Sequence, residues 1–286
     1  MSRIFLLSIM SFFLNQAFGL ISIVSAENFY GSVAQELGGP YVQVTNILSS
    51  PIQDPHLFAP TLTQAKLVAD ADLIIYNGLG YDDWMAKLLL ADTHKPRTTL
   101  IVSQLITPTG NNPHIWYNPQ TMPIYAKKLI IIFQQKEPLH TLYFQQQLAK
   151  FLKEYEQIFQ KINLIKQQSN GNNIIAAEPL FNDMAHALGL IILSKSFAYT
   201  MMNETSPSPK QIQEFTENLI KNKPKVFIYN NQVSSPLIEH LKLLAQQKQI
   251  PLMGVFELQP QGLSYTQWML QNLTHLQEAF NESAHH

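Results

Sequence analysis

With nine histidines and no cysteine among its 286 residues, this chain has imidazole and carboxylate, but no thiolate, available for metal or nucleophile chemistry. Thiolate metal sites, iron–sulfur clusters and cysteine nucleophiles are excluded. Two of the histidines share one unusual frame. His56 lies in Asp54-Pro55-His56-Leu57-Phe58-Ala59-Pro60 and His114 in Asn112-Pro113-His114-Ile115-Trp116-Tyr117-Asn118-Pro119. In both, an Asx-Pro pair precedes the imidazole, an apolar and an aromatic residue follow it, and a proline closes the run. Proline leaves the loop backbone few conformations, so each ring is presented in a fixed place. Asp54 and Asn112 are placed to accept a hydrogen bond from the ring nitrogen that faces away from a ligand. A solitary histidine is more often a satisfied structural residue, but a repeated frame argues for a pair of ligands. His94, His140, His186, His240 and His275 show no such frame, and His285 and His286 lie at the tail.

Two carboxylates stand in comparable places further on. Glu178 directly follows an apolar strand, with Pro179 opening the next helix, and Glu257 directly follows another. Taken alone, Glu178 could simply favour a helix N-terminus and Glu257 could be a loop acid. Two imidazoles and two carboxylates converging on one cleft would make a closed four-ligand set for a divalent metal. Glu27, after the first strand, is a lesser candidate, better suited to a cap or a supporting position.

The elements that position these residues read as an α/β protein. Strands are predicted at Leu20–Ala26, Val42–Ile47, Leu73–Tyr76 and Thr99–Val102, with helices around Gly31–Leu37, Thr63–Ala69 and Trp84–Leu90 between them. Strands spaced by helices indicate parallel βα units. Residues 20–118 would form this first lobe and residues 119–171 a helical linker. Within the linker, Phe144, Leu148, Phe151, Tyr155, Ile158, Ile162 and Ile165 recur at steps of four and three, which predicts one long helix over 138–166. The alternation then resumes through residues 172–286, with strands at Asn173–Ala177, Leu190–Leu193, Val226–Tyr229 and Leu252–Phe256. Helices are expected at Phe181–Leu188, Pro209–Asn222, Ser235–Gln247 and Tyr265–Ala279, the second capped by Ser208 with Pro209 in its first turn. Two similar four-stranded parallel lobes joined by one long helix leave a cleft between them, and open α/β sheets bind ligands at the carboxyl ends of their strands.

Arg3 followed by the apolar run Ile4 to Leu14 resembles an export signal over residues 1–19. Cleavage after Gly19 or after Ala26 fits small-residue rules, and Gly19 is preferred because Leu20–Ala26 is needed as a strand. The alternative is an uncleaved anchor over Ile4 to Ala26. A formal charge of −1 offers nothing to nucleic acid or an anionic membrane surface. The lack of cysteine also removes the attachment point of a lipid anchor. The expectation from these features is a soluble periplasmic protein, exported by a cleaved signal and not a lipoprotein.

Several runs resemble the zinc/manganese solute-binding family of ABC importers. They are Glu27-Asn28-Phe29-Tyr30-Gly31, Asp54 to Pro60, Asp72 to Gly80 and Asn112 to Trp116, then Ala177-Glu178-Pro179-Leu180-Phe181, Tyr229-Asn230-Asn231-Gln232 and Gly254-Val255-Phe256-Glu257. The resemblance covers essentially the whole chain after the signal. It implies two α/β lobes bridged by one long helix, with metal ligands at His56, His114, Glu178 and Glu257. It further implies a receptor that captures Zn²⁺ or Mn²⁺ as its transported ligand and delivers it to an inner-membrane permease with its ATPase, acting as a monomer and not as an enzyme. Two features depart from many relatives: the acidic, histidine-rich loop of many zinc receptors is missing, and Asn118 stands where Asp is frequent. Two carboxylates form a harder set than three imidazoles, which favours Mn²⁺, yet Zn²⁺ outcompetes Mn²⁺ at most nitrogen and oxygen sites. Zinc is preferred, with manganese second. The alternatives are a receptor of the same architecture for haem or a siderophore, a secreted metallohydrolase, and an adhesin with a structural metal.

Overall fold

The computed structural model describes residues 20–50, 53, 55, 58–91, 97–108 and 110–284. The signal segment, Asp54, His56, His94, His285 and His286 lie outside the described residues. In the first lobe, β1 (Ile21–Glu27), β2 (Val42–Leu48), β3 (Leu73–Tyr76) and β4 (Thr98–Ile101) form a parallel sheet in the order β2-β1-β3-β4. Helices α1 (Asn28–Gly38), α2 (Leu62–Asp70) and α3 (Asp83–Ala91) make the crossovers, and α4 (Thr121–Lys136) follows. β1 pairs with both β2 and β3. A cut after Ala26 would therefore remove the strand at the centre of the sheet. The same strand assignment means that a membrane-spanning helix does not run through to Ala26. Among the described residues no helix is long and apolar enough to cross a membrane.

A single turn at Pro138–His140 leads into α5 (Thr141–Ser169), a 29-residue helix. It begins three residues later than the sequence predicts because Pro138 nucleates a 3₁₀ turn, and it extends to Ser169, whose hydroxyl donates to the Ile165 carbonyl. The predicted apolar stripe is its buried face: Phe144, Phe151, Tyr155, Ile158, Ile162 and Ile165 are all buried.

The second lobe repeats the first. Strands β5 (Asn173–Ala176), β6 (Ile191–Leu193), β7 (Phe227–Asn230) and β8 (Leu252–Val255) are parallel in the order β6-β5-β7-β8. Between and after them come α6 (Asn182–Ala187), α7 (Lys195–Met202), α8 (Pro209–Lys221), α9 (Pro236–Gln247) and α10 (Tyr265–Ala284). Periodicity did not announce α7. It is only eight residues long, and it starts from Ser194 at φ 52°. Both Ser208 and Ser235 accept a hydrogen bond from the third backbone N–H of the helix they cap, at 3.3 and 3.2 Å.

One core cluster runs without a break from the first sheet through α4, α5 and α10 to β7 and β8, while a smaller one lies on the outer face of the second sheet. Polar contacts pin the lobes together as well. Asn28 and Gln259 exchange side-chain and backbone hydrogen bonds at 2.7 and 3.0 Å, Tyr117 donates to the Phe256 carbonyl at 2.7 Å, and Tyr265 donates to the Trp116 carbonyl at 2.5 Å. A shared apolar core leaves little freedom for one lobe to swing against the other.

Candidate metal centre

His114 follows β4 by one 3₁₀ turn and a short loop, and its ring is fully buried. It packs edge-on to Trp116 at 5.2 Å and to Tyr81 at 5.9 Å, centroid to centroid. Trp116 in turn stacks on Phe29 of α1 at 4.7 Å. The aromatic residue that follows each framed histidine in the sequence thus acts, at His114, as a wall that fixes the ring. Asn112 sets the tautomer. Its Nδ2 donates to the Pro179 carbonyl at 3.0 Å, so its Oδ1 faces the imidazole, 2.7 Å from Nδ1. An amide oxygen only accepts, so Nδ1 carries the proton and Nε2 keeps the lone pair that a metal requires.

Glu178 and Glu257 follow β5 and β8, the two strands that flank β7. Asn230, the last residue of β7, lies between them. Its Nδ2 donates to Glu178 Oε2 at 3.1 Å and to Glu257 Oε1 at 2.7 Å. The amide orientation is fixed because the Gln232 backbone N–H donates to Asn230 Oδ1 at 2.9 Å. Gln232 does two further things: its Oε1 accepts from the Glu257 backbone N–H at 2.5 Å, and its Nε2 donates to the Gln53 carbonyl at 2.8 Å. Gln53 precedes His56 by three positions in the sequence, and through it this side chain ties the segment after β2 to the Glu257 loop. The other Glu257 oxygen accepts from the Tyr81 hydroxyl at 2.9 Å across the cleft. Burial raises the Tyr81 phenol well above its usual range, with the charges of Glu257 and Glu27 adding to it, so it stays a donor.

Tyr81 is delivered by a turn with φ of 81°, 58° and 80° at Gly78, Leu79 and Gly80. A Cβ on Gly78 would stand 2.5 Å from Ser103 Oγ, so glycine is required there on two counts. The same turn lets Asp82 accept the Asn77 and Gly78 backbone N–H groups at 2.5 and 2.8 Å.

The structure therefore brings Glu178 and Glu257 together on one amide. His114 joins them through Tyr81 on one side and through Asn112 and Pro179 on the other. Among the described residues no three His, Asp or Glu side chains stand in position to hold a metal ion by themselves; His56 is outside those residues. Sequence reasoning did not single out Tyr81, and it named Asn230 and Gln232 only within the run Tyr229-Asn230-Asn231-Gln232, with no role at the site. The readable signal for Asn230 was its place at a strand end between two strand-end glutamates.

Glu27 does not behave as a cap: it occupies the N-cap position of α1 without a side-chain cap bond and is fully buried. Asn118 does act locally, its Oδ1 accepting from the Gln120 N–H at 2.9 Å. His140 stacks on Tyr41 at 3.8 Å, and His186, His240 and His275 are exposed on helices. Replacing Asn112 by Ala is expected to lower metal affinity roughly 10–100-fold with the fold kept, because the imidazole loses its tautomer and orientation. Competition with a chromophoric chelator would measure this. An unchanged affinity would remove Asn112 from the site.

Comparison with known proteins gives the family. The model of zinc-uptake complex component A, periplasmic (ZnuA), matches residues 23–279. The chain is 23% identical to the metal ABC transporter substrate-binding lipoprotein FimA of Streptococcus parasanguinis, over 93% of this chain and 91% of that one. It is 24% identical to the manganese ABC transporter substrate-binding lipoprotein PsaA of Streptococcus pneumoniae, over 92% and 89%. Its fold matches the periplasmic zinc binding protein TroA from Treponema pallidum with a TM-score of 0.78 at 16% identity, covering 92% of this chain and 99% of that one. These relatives do not support the haem, siderophore or hydrolase alternatives. They also correct one expectation. The location inferred above, a soluble periplasmic protein that is not a lipoprotein, is overturned by relatives that are named lipoproteins. The part of that inference that denied a lipid anchor rested on the absence of cysteine, and the naming of these relatives goes against it. With the match spanning both lobes and the helix between them, the chain belongs to the ZnuA family of zinc-uptake complex component A proteins.

Proposed function

We propose that this protein is the substrate-binding receptor of a metal ABC importer, capturing one Zn²⁺ or Mn²⁺ ion and handing it to a membrane permease served by an ATPase. It binds its cargo without transforming it and acts as a monomer. The observation that carries this reading is the convergence of Glu178 and Glu257, both buried, on the Asn230 amide, with Tyr81 donating to Glu257 and packing against a buried imidazole whose Nε2 keeps its lone pair. Buried carboxylates gathered in this way favour a cation.

His114, Glu178 and Glu257 would be ligands, with His56 completing the set, and Asp54 and Asn112 orienting the two imidazoles. Residues 20–118 and 172–286 would act as the two lobes, 119–171 as the connection and 1–19 as the export signal. Because one core runs through both lobes, opening for release would be small and would depend on the permease. Zinc is the favoured ion, since imidazole and carboxylate together hold it well in tetrahedral geometry; the relative named for manganese keeps that ion second.

The test is elemental analysis of chelator-stripped protein dialysed against equal Zn²⁺ and Mn²⁺. One retained ion per chain is expected. Retention should weaken as the pH is lowered, because ligand imidazoles must be neutral to coordinate. A stripped protein that regains neither ion would refute the receptor reading.

A further inference from the structure

Asn230 directs both of its amide hydrogens at carboxylates, one to Glu178 Oε2 at 3.1 Å and one to Glu257 Oε1 at 2.7 Å. All three residues are buried, so water competes little for these bonds. The amide cannot turn over to present its oxygen instead, because Oδ1 accepts the Gln232 backbone N–H at 2.9 Å. Turning it would set an acceptor against two acceptors and leave that N–H without its partner. At Glu257 the second oxygen is engaged as well, by the Tyr81 hydroxyl at 2.9 Å. The Glu257 backbone is held too, its N–H donating to Gln232 Oε1.

These donors bear on how each carboxylate can hold a cation. A metal bound by both oxygens of one carboxylate at once draws on lone pairs of both. At Glu257 that mode sets the ion against a hydrogen bond on each oxygen, and at Glu178 against the bond on Oε2. Binding through a single oxygen disturbs fewer of these bonds. It also keeps the number of donors around the ion low. Zinc is well served by a small tetrahedral shell. Manganese is better served by a larger, oxygen-rich octahedral one, so it loses more when the shell cannot expand. The amide thus acts on the choice of ion through the two glutamates.

We propose that Asn230 is a specificity-determining positioning residue: by holding one oxygen of Glu178 and one of Glu257, it keeps both carboxylates to single-oxygen coordination and favours Zn²⁺ over Mn²⁺. The proposal rests on the receptor reading and adds the residue that sets its choice of ion. A purely structural role would weaken the binding of both ions alike, whereas this role changes their ratio. Asn230→Leu is close in size and has no donor, so it releases both carboxylates to chelate with two oxygens. Asn230→Thr keeps one hydroxyl donor at the same strand end.

The experiment measures Zn²⁺ and Mn²⁺ affinities separately, by competition with a chromophoric chelator, for the full chain and both variants. Circular dichroism checks that each is folded. The ratio of zinc to manganese affinity is expected to fall at least about 10-fold in Asn230→Leu. It should fall by a smaller factor in Asn230→Thr, since one donor remains, and that variant decides if the leucine protein does not fold. An unchanged ratio in a folded variant, whether both affinities drop together or neither moves, would overturn the proposal and leave the receptor reading standing. A higher ratio would overturn it as well. A parent protein that binds neither ion would overturn both.

Discussion

His114→Ala is expected to lower zinc affinity by more than about 100-fold, beyond the loss ordinarily caused by removing a partner of a ligand. The prediction depends on rigidity as much as on donor identity. Tyr81 and Trp116 pack against the ring, and Asn112 holds Nδ1, so Nε2 is offered in one place and one protonation state. Among the described residues the other imidazoles are His140, stacked on Tyr41, and His186, His240 and His275, exposed on helices. The substitution also removes the ring partner of the Asn112 oxygen, which then keeps only the residue-114 backbone N–H, 3.3 Å away in the parent. The folded fraction should therefore be checked by circular dichroism beside a competition titration with a chromophoric chelator. His114→Gln, which restores a polar side chain but no imidazole, separates the two effects by recovering stability without recovering affinity. Zinc affinity within about threefold of the parent in a folded His114→Ala protein would exclude this residue as a ligand.

The second large effect concerns stability and not cargo. Glu27 ends β1 fully buried, and Asp82 lies against it, nearly as buried. The groups that face Glu27 are Asp82, Tyr30, Tyr81 and Tyr125, and all of them are acids. Burial first, and then the Asp82 charge, push the Glu27 carboxyl well above its usual range. Burial raises Asp82 to about 6, against the backbone N–H groups that pull it down. Two such carboxyls hold a proton between them. The folded state therefore binds more protons than the unfolded chain at pH values above the ordinary carboxylate range. Stability is then present at acid pH and declines as pH rises through the folded-state values.

Glu27→Gln places an amide donor where the proton sits and removes one of the two acids. It is expected to raise stability at about pH 8 by on the order of 2 kcal/mol, with a much smaller gain at about pH 5. Denaturant midpoints of the metal-free protein at the two pH values would measure this. Equal effects at both would show that the pair does not share a proton in the folded state.

The architecture was largely legible before folding was considered. Apolar runs of strand length separated by amphipathic stretches require parallel βα units, and the four-three spacing from Phe144 to Ile165 requires one long helix with one buried face. Such patterns depend on near neighbours along the chain, and so they survive in the linear order. The boundaries that shifted, as at Pro138–His140, did so where a local turn competed with the helix. Short α7 had too few residues to show a period.

The candidate ligands were legible for a related reason. A proline-framed histidine and a glutamate at a strand end are local features, and His114, Glu178 and Glu257 each carry one. The groups that support them are not local. Asn230 meets Glu178 and Glu257 only because β7 lies between β5 and β8 in the sheet, an order that the chain does not follow. Tyr81 reaches Glu257 from 176 positions away and from the other lobe. The burial of Glu27 against Asp82 likewise follows from the pairing of β1 with β3. Residue type and near spacing decide which side chains can bind a metal; strand order and lobe packing decide which hydrogen bonds hold them in place and which acids are left to share a proton.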